Sequence, residues 1–394
     1  MGRPPRSVLT PVLHYFLQPL ARDVRLFNLL NYITFRAAAA FVTALLVAFI
    51  VGPAIIRRLR AMAVNQVVRE GTPDSHAGKG TTPTMGGLII VAATLAPVVL
   101  WGRFSSRGGE YLLVATLVMG WMGAIGFVDD YLKLRQKRMG LKNTGLAERF
   151  KLAGQVSAGV ALGLYLWKIP LSTLPGASTT LPFFKYVLIV PATVSLAWLY
   201  VPFVTVVLTG ASNAVNLTDG LDGLATGLVG IAAVTFGLFA YVMGRIDTSA
   251  YLQIFFLRGA GELTIFCAAV FGACIGFLWF NTYPAKVFMG DTGSLALGGA
   301  LGAVAILLKS EFLLVIIGGV FVAETLSVIL QRSVFKYRRR RYGLEYAQQH
   351  RVFRRAPIHH HFEVSGWPET QVVVRFWILG IMCAIVALST LKLR

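Results

Sequence analysis

The sequence predicts an all-α integral membrane protein with about ten transmembrane helices and an active site at the cytoplasmic face. Three observations predict it. Of 394 residues, 56% are hydrophobic and only 14% charged, whereas soluble globular chains carry about 25% charged residues. The apolar residues, which set a mean hydropathy of +0.68, gather into runs near the roughly 20 residues that a helix needs to cross a bilayer. Lys and Arg, 37 against 17 Asp and Glu for a net charge of +20, concentrate in every second connection between those runs, the pattern that sets membrane orientation. The same numbers exclude disorder. Because the basic clusters are short and lie between apolar stretches, membrane lipid is an expected partner and nucleic acid is not. Cys267, Cys274 and Cys383 sit inside apolar runs without metal-ligand spacing, which excludes a disulfide framework.

Residues 1–33 come first. Leu9 to Leu20 is interrupted by Pro11, His14, Gln18 and Pro19 and has no small-residue cleavage site, so the segment reads as extracytoplasmic and interfacial, not as a signal peptide. Residues 34–394 read as one polytopic domain. Its first apolar run, 37–56, exits into Arg57, Arg58, Arg60, Arg69 and Lys79. The second, 84–101, reaches the third, 111–128, across only Arg103 and Arg107; the third exits into Lys133, Arg135, Lys137, Arg138, Lys142, Arg149 and Lys151. The runs 150–168 and 186–208 are separated by Lys168 and Lys185, and 223–243 and 262–280 by Arg245 and Arg258. Lys309 stands between 293–308 and 311–331, which exits into Arg332, Lys336, Arg338 to Arg341, Arg351, Arg354 and Arg355; the run 371–391 closes the chain. The strongly basic exits all follow odd-numbered runs and so share the cytoplasmic side. Both termini then lie outside, although Arg3, Arg6, Arg22 and Arg25 favour the opposite placement of the N-terminus. Residues 332–369, the long polar connection, are expected as a cytoplasmic loop with some helix. No strong internal repeat supports an inverted-repeat transporter.

The acids are not scattered over this topology. Asp129 and Asp130 end the third run, Asp219 and Asp222 open the sixth behind Asn213 and Asn216, and Asp291 precedes the eighth in Gly-Asp-Thr-Gly-Ser. All fall at cytoplasmic ends, and carboxylates at membrane depth mark function by default. Hard oxygen ligands with few His or Cys nearby suit Mg²⁺, which shares its coordination with water and phosphate. Lys133, one turn beyond the Asp pair, is placed to meet an anion. Gly-Asp-Thr-Gly-Ser opens a helix whose unpaired N–H groups favour phosphate. Together these features describe a site for a metal-bound diphosphate. Asp219 and Asp222, spaced i, i+3, share a helix face, and Asp219 serves as an N-cap, as a catalytic group, or as both.

His359, His360 and His361 form an internal run. Three consecutive side chains rarely converge on one zinc ion, a solvated cluster is the bland alternative, and the flanking arginines favour contacts to an anionic substrate. The stretch around His76, Lys79, Thr82 and Thr84 is not a Walker A loop, because Lys79 is followed by Gly80.

Tyr-Ile-Thr-Phe-Arg-Ala (32–37), Asn-Gln-Val-Val-Arg (65–69), Thr-Pro-Thr-Met-Gly-Gly (82–87), the Asp129-Asp130 segment, Asn216 to Gly223, Asn281 to Ser294 and Ala-Pro-Ile-His-His-His (356–361) together resemble the phospho-N-acetylmuramoyl-pentapeptide transferase family, a branch of the polyprenyl-phosphate N-acetylhexosamine-1-phosphate transferase superfamily. The paired Asp motif belongs to the whole superfamily, and the triple His points to the muramoyl-peptide branch. The resemblance implies Mg²⁺-dependent transfer of phospho-MurNAc-pentapeptide from UDP-MurNAc-pentapeptide to undecaprenyl phosphate, giving lipid I and UMP for peptidoglycan synthesis, by a homodimer in the bacterial inner membrane. It assigns Asp291 to the metal and Asp129, Asp130, Asp291 and Lys133 to catalysis. Lys79, Asn213, Asn216, Asp219, Asp222, Asn281, Phe288, His359, His360 and His361 fall to substrate binding. Two departures stand out: the glycine after Lys79 comes one place early, and the segment from Arg338 to His350 is longer than the usual connection.

Phosphoryl transfer within a diphosphate is governed by positioning and charge neutralisation. Direct attack by an acceptor phosphate already largely dianionic near neutral pH, with Asp129 or Asp130 orienting it or taking its residual proton, is favoured over a covalent phospho-Asp intermediate, which stays open. A transporter of anionic metabolites would place ionisable groups at midmembrane in both halves of the chain; here the midspan positions are nearly all apolar, Glu324 being the main exception. A sister transferase using UDP-GlcNAc would lack the triple His.

Overall fold

The computed structural model describes residues 25–62, 82–104, 108–140, 145–172, 174–184, 187–190 and 194–392. The segment before residue 25 and Lys79 lie outside the described residues. The chain folds into helices α1 (Ile33–Met62), α2 (Gly87–Trp101), α3 (Gly109–Arg138), α4 (Glu148–Lys168), α5 (Tyr200–Thr218), α6 (Leu224–Met243), α7 (Ile246–Leu252), α8 (Leu263–Asn281), α9 (Gly290–Leu307), α10 (Glu311–Ile317), α11 (Gly319–Tyr342), α12 (Leu344–Gln349), α13 (Ile358–Val364) and α14 (Glu369–Ser389). One two-stranded antiparallel ribbon, β1 (Thr179–Thr180) with β2 (Leu188–Ile189), lies between α4 and α5. Helices dominate because a backbone surrounded by lipid must satisfy its hydrogen bonds within the segment.

Among the described residues, seven helices are long and apolar enough to cross a membrane, or eight if the α10–α11 pair, bent by 85°, is one span. That is fewer than the ten expected, yet each expected run contains helix. The run 84–101 yields only the 15 residues of α2, about 22 Å at 1.5 Å per residue. The run 150–168 yields α4, which has the length but is diluted by Gln155, Ser157 and glycines. The run 186–208 begins its regular helix only at Tyr200, after a 3₁₀ segment over Val194–Leu199. The run 311–331 breaks at Gly318, and its second half continues as helix to Tyr342, so the polar connection begins eleven residues later than expected.

Alternation survives these corrections. The C-terminal ends of α3, α5 and α8 and the N-terminal ends of α2, α4, α6, α9 and α14 meet around the acids. At the other end, Arg36 near the start of α1 pairs bidentately with Glu262, just before α8, at 2.8 and 2.7 Å, and also reaches the Trp101 carbonyl at the end of α2. There too Tyr200 donates to Glu311 at 2.8 Å and Lys309 reaches the Tyr200 hydroxyl at 3.2 Å.

The core of the bundle is α9, buried from Thr292 to Leu307. Its small residues permit this, since close helix approach in membranes depends on them. A Cβ at Gly298 would lie 2.6 Å from both the Ala211 carbonyl oxygen and the Ser212 Cα of α5. The helix that carries Asp291 at its first turn is thereby fixed by neighbours along its whole length, while α14 turns Ile378, Met382 and Ile385 outward.

Candidate active site

Asp291 sits at the second position of α9, after Gly290, whose φ of +72° is a left-handed conformation that glycine adopts without strain. Asp129 and Asp130 lie on α3, which packs so closely that a Cβ on Gly126 would come within 2.1 Å of the Asp291 carbonyl oxygen. As a result the carboxylates of Asp129, Asp130 and Asp291 offer oxygens all within 4.8 Å of one another. Asp129 and Asp130 are buried, at 1% and 4% exposure.

Two adjacent acids on a helix point in different directions, and their partners differ accordingly. Asp130 faces the first turn of α9. Its Oδ1 accepts the Asp291 N–H at 3.2 Å, and its Oδ2 accepts the Thr292 N–H at 2.9 Å and the Thr292 hydroxyl at 2.7 Å. It therefore satisfies N–H groups that a helix start leaves open, where a negative charge is also favoured by the helix dipole. Asp129 accepts the Leu146 N–H at 2.8 Å on Oδ1 and turns Oδ2 to Lys133 at 2.5 Å and to Lys151 at 3.5 Å. Asp291 Oδ2 meets the same two ammonium groups, Lys133 at 3.2 Å and Lys151 in direct contact, and its Oδ1 accepts from Asn216 Nδ2 at 2.8 Å.

Asp219 and Asp222 occupy the turn between α5 and α6. This corrects the expectation of an N-cap on one helix face: Asp219 caps the C-terminus of α5, its N–H donating to Val215 and Asn216 carbonyls, and the residue before α6 is Gly223 at φ +80°. Asp219 accepts a hydrogen bond from the Gly290 backbone, and burial, together with the charges of Asp291, Asp130 and Asp222, pushes its carboxyl up to about 8. Asp222 accepts from the Ala285 N–H at 3.0 Å, and its own N–H donates to Glu369 at 2.9 Å.

The carboxylate cluster fits a hard divalent cation. It is all oxygen, with no sulfur or imidazole among its members, and two lysines converge on oxygens that demand positive charge.

The model of the glycosyl transferase family 4 matches residues 111–309, the interval that holds all three acids. A phospho-N-acetylmuramoyl-pentapeptide-transferase of Gemmatimonas aurantiaca is 78% identical over 97% of this chain and 100% of its own length. Relatives of the same name from Geobacter sp. and Syntrophus aciditrophicus are 49% and 46% identical with the same coverage. The chain belongs to the phospho-N-acetylmuramoyl-pentapeptide transferase family. It is a multi-pass membrane enzyme.

Among the residues the sequence singles out, Asp129, Asp130, Lys133 and Asn216 are brought together around Asp291. Asn216 also holds Ser294 at 2.8 Å. Asn213 lies one turn deeper and pairs with Gln155 at 2.8 Å. Asn281 is buried and occupied by backbone: its Oδ1 accepts from Gly223 and from the Thr226 hydroxyl, both at 3.1 Å, and its Nδ2 donates to the Val287 carbonyl at 3.0 Å. Phe288 is partly buried, and its N–H and carbonyl bind Pro83 and Gly86 at 2.9 and 2.8 Å. The Thr-Pro-Thr-Met-Gly-Gly stretch therefore docks against the strand of chain that leads into Asp291. The triple His is on a helix, α13, and its members have separate surroundings. His359 is fully buried, His360 contacts Glu363 at 2.7 Å, and His361 accepts the Arg354 N–H at 3.1 Å. Burial lowers the pKa of His360 against the opposing pull of Glu363.

Lys151 and Thr292 are the members that sequence reasoning missed. Lys151 stood in a basic connection where every lysine has the same topological explanation. Its place in the first turn of an expected helix, at the mouth shared by the acids, was the available signal.

Proposed function

We propose that this chain transfers phospho-MurNAc-pentapeptide from UDP-MurNAc-pentapeptide to undecaprenyl phosphate, forming lipid I and UMP, at the cytoplasmic face of a bacterial inner membrane with both termini outside. The observation that carries this is the juxtaposition of Asp129, Asp130 and Asp291 with Lys133, Lys151 and Asn216 at the ends of membrane helices. A site at that depth suits a reaction between a water-soluble diphosphate and a lipid phosphate. We also take residues 34–394 as one domain and the active form as a homodimer.

Mg²⁺ is the cation we assign, with Asp291 as its ligand and Asp129 beside it. When bound it would offset charge on the diphosphate and the departing UMP. The chain's own groups do the positioning. Lys133 and Lys151, which contact Asp129 and Asp291, suit the phosphoryl oxygens. Asn216 holds Asp291 in orientation. Asp130, occupied by three donors from Asp291 and Thr292, fixes the start of α9. Asp129 keeps an oxygen toward the lysines and is the acid placed to orient the acceptor phosphate or take its residual proton. Lys79, three residues before the docked 82–87 stretch in sequence, and Phe288 and the His segment are assigned to the donor.

The test is direct: purified protein with undecaprenyl phosphate, radiolabelled UDP-MurNAc-pentapeptide and Mg²⁺ should give a lipid-soluble labelled product and UMP. Product with UDP-GlcNAc in place of the muramoyl donor would make it the sister transferase; no product with either would refute the transfer.

A further inference from the structure

Glu262 and Glu311 stand at the first positions of their expected spans, whereas Glu324 lies well inside one and has no part in the cluster. Glu324, in α11, is completely buried, and so is His359 of α13. Its Oε2 lies 3.1 Å from His359 Nδ1 and 3.5 Å from the His359 backbone N–H. The approach of Nδ1 to Oε2 is a close contact without hydrogen-bond alignment, and Glu324 Oε1 and His359 Nε2 have no hydrogen-bond partner among the described residues. A carboxylate buried in this way is costly unless it is paired, and what its Oε2 meets among the described residues is His359, at both the ring and the backbone N–H. The other edge of the imidazole faces the Asp219–Asp222 turn: a Cβ on Gly220 would lie 2.3 Å from His359 Nε2. The same turn places Asp219 on the Gly290 backbone, one residue before Asp291.

We propose that Glu324 is a positioning residue for the transfer reaction: through His359 it fixes the 219–222 turn against the start of α9, and so the placement of Asp219 beside Asp291. The carboxylate against the Nδ1 edge and the 219–222 turn against the Nε2 edge hold the ring between them; the outer partner of a functional histidine sets the ring's orientation in this way. His359 is then the inner member of the triple His, and His360 and His361 are free of this duty. The inference rests on the transferase reading, and it deepens it by adding a residue from a helix that touches none of the three acids.

The experiment uses the full chain in detergent with both substrates and Mg²⁺. E324M removes both oxygens at similar volume, H359Q removes the ring, and the double variant closes the cycle. Activity is expressed per folded protein, with the unfolding midpoint of each sample measured alongside. E324M is expected to lower kcat by about 10- to 100-fold, the usual scale for removing an outer-shell partner, while KM for undecaprenyl phosphate stays within about twofold. H359Q should lose a similar factor, and the double variant no more than the worse single one, because the two act as a unit. If E324M does not fold, E324Q carries the same cycle. Three results would overturn the proposal: turnover within about threefold of the parent, losses that multiply in the double variant, or a lowered unfolding midpoint with kcat per folded protein unchanged. Absence of product from the parent would instead refute the transferase reading.

Discussion

Asp130→Asn separates an acid that builds the site from one that acts in it. Asparagine keeps the shape of Asp130 but replaces one oxygen with an NH₂ group and removes the charge. Three donors converge on the native carboxylate, from Asp291 N, Thr292 N and Thr292 Oγ1. The amide oxygen can keep the two Thr292 donors, but the NH₂ then faces the Asp291 N–H, donor against donor. One hydrogen bond to a charged group is worth about 1.5–3 kcal/mol, and a charge at a helix N-terminus adds about 0.3–1 kcal/mol. The substitution should therefore cost about 2–4 kcal/mol at the first turn of α9. If that cost falls wholly on the placement of Asp291 in the reacting complex, turnover drops roughly thirty- to thousandfold at 1.36 kcal/mol per decade. Two measurements on one preparation decide it: kcat across a Mg²⁺ series, and the unfolding midpoint in metal-free buffer. Asp130→Asn should lower the midpoint and raise the Mg²⁺ concentration for half-maximal rate. Asp129→Asn, whose loss falls on the lysine-facing oxygen, should lower kcat with less effect on metal dependence. An Asp130→Asn protein that melts like the parent and responds normally to Mg²⁺, yet turns over poorly, would show that Asp130 acts in the chemistry and not through α9.

Asp291→Asn should abolish nearly all turnover in a folded protein; a rate within about tenfold of the parent, only about 1.4 kcal/mol in the barrier, would remove Asp291 from the metal role. With donor and Mg²⁺ but no lipid, direct attack predicts no stoichiometric UMP, so a burst equal to the enzyme concentration with label on Asp129 or Asp130 would establish a covalent intermediate. The raised pKa of Asp219, from the usual 3.8 to about 8, means the folded protein holds a proton there that the unfolded chain releases. Metal-free stability should therefore fall as pH rises from about 4 to 8, and Asp219→Asn should flatten that decline; equal slopes in parent and variant would refute the assignment. For sidedness, in a background without Cys267, Cys274 and Cys383, a cysteine at exposed Asp247 should react with an impermeant reagent in intact cells and one at exposed Ser365 should not, and the reverse pattern would invert the topology.

The helices were legible because lipid imposes one rule on every span, and charge fixes which ends share a side. That Asp129, Asp130 and Asp291 share one face followed from that alternation; that they meet depends on the close packing of α3 on α9. What escaped depends on local events that periodicity does not register. The apolar run 311–331 continues through Gly318 and Gly319 without a polar break, so the 85° bend between α10 and α11 leaves no mark on hydropathy. The apolar stretch from Lys185 runs through Pro191 into the next helix, which hides the 3₁₀ segment before Tyr200. Strands of two residues each are too short for any alternation to show.

The triple His shows a different limit. Three adjacent identical residues invite one role, and in an extended loop they could share a ligand. On a helix, successive side chains are about 100° apart at 3.6 residues per turn, so one of three can face inward while the others cannot follow it. His359 takes the inward position, wedged between Glu324 and Gly220, whereas His360 turns to Glu363 and His361 to the Arg354 N–H. Neither Glu324 nor Gly220 is near the histidines in sequence. The pairing became visible only when α11, α13 and the 219–222 turn were placed together. Individual substitutions should therefore diverge: His359→Gln should act on kcat through the turn. His360→Gln and His361→Gln, beside Arg354 and Arg355, should act on donor KM if those side chains meet the anionic donor. Equal losses in the same kinetic parameter for all three would show that the histidines do act as one group, and would return the segment to the undivided role that its sequence suggests.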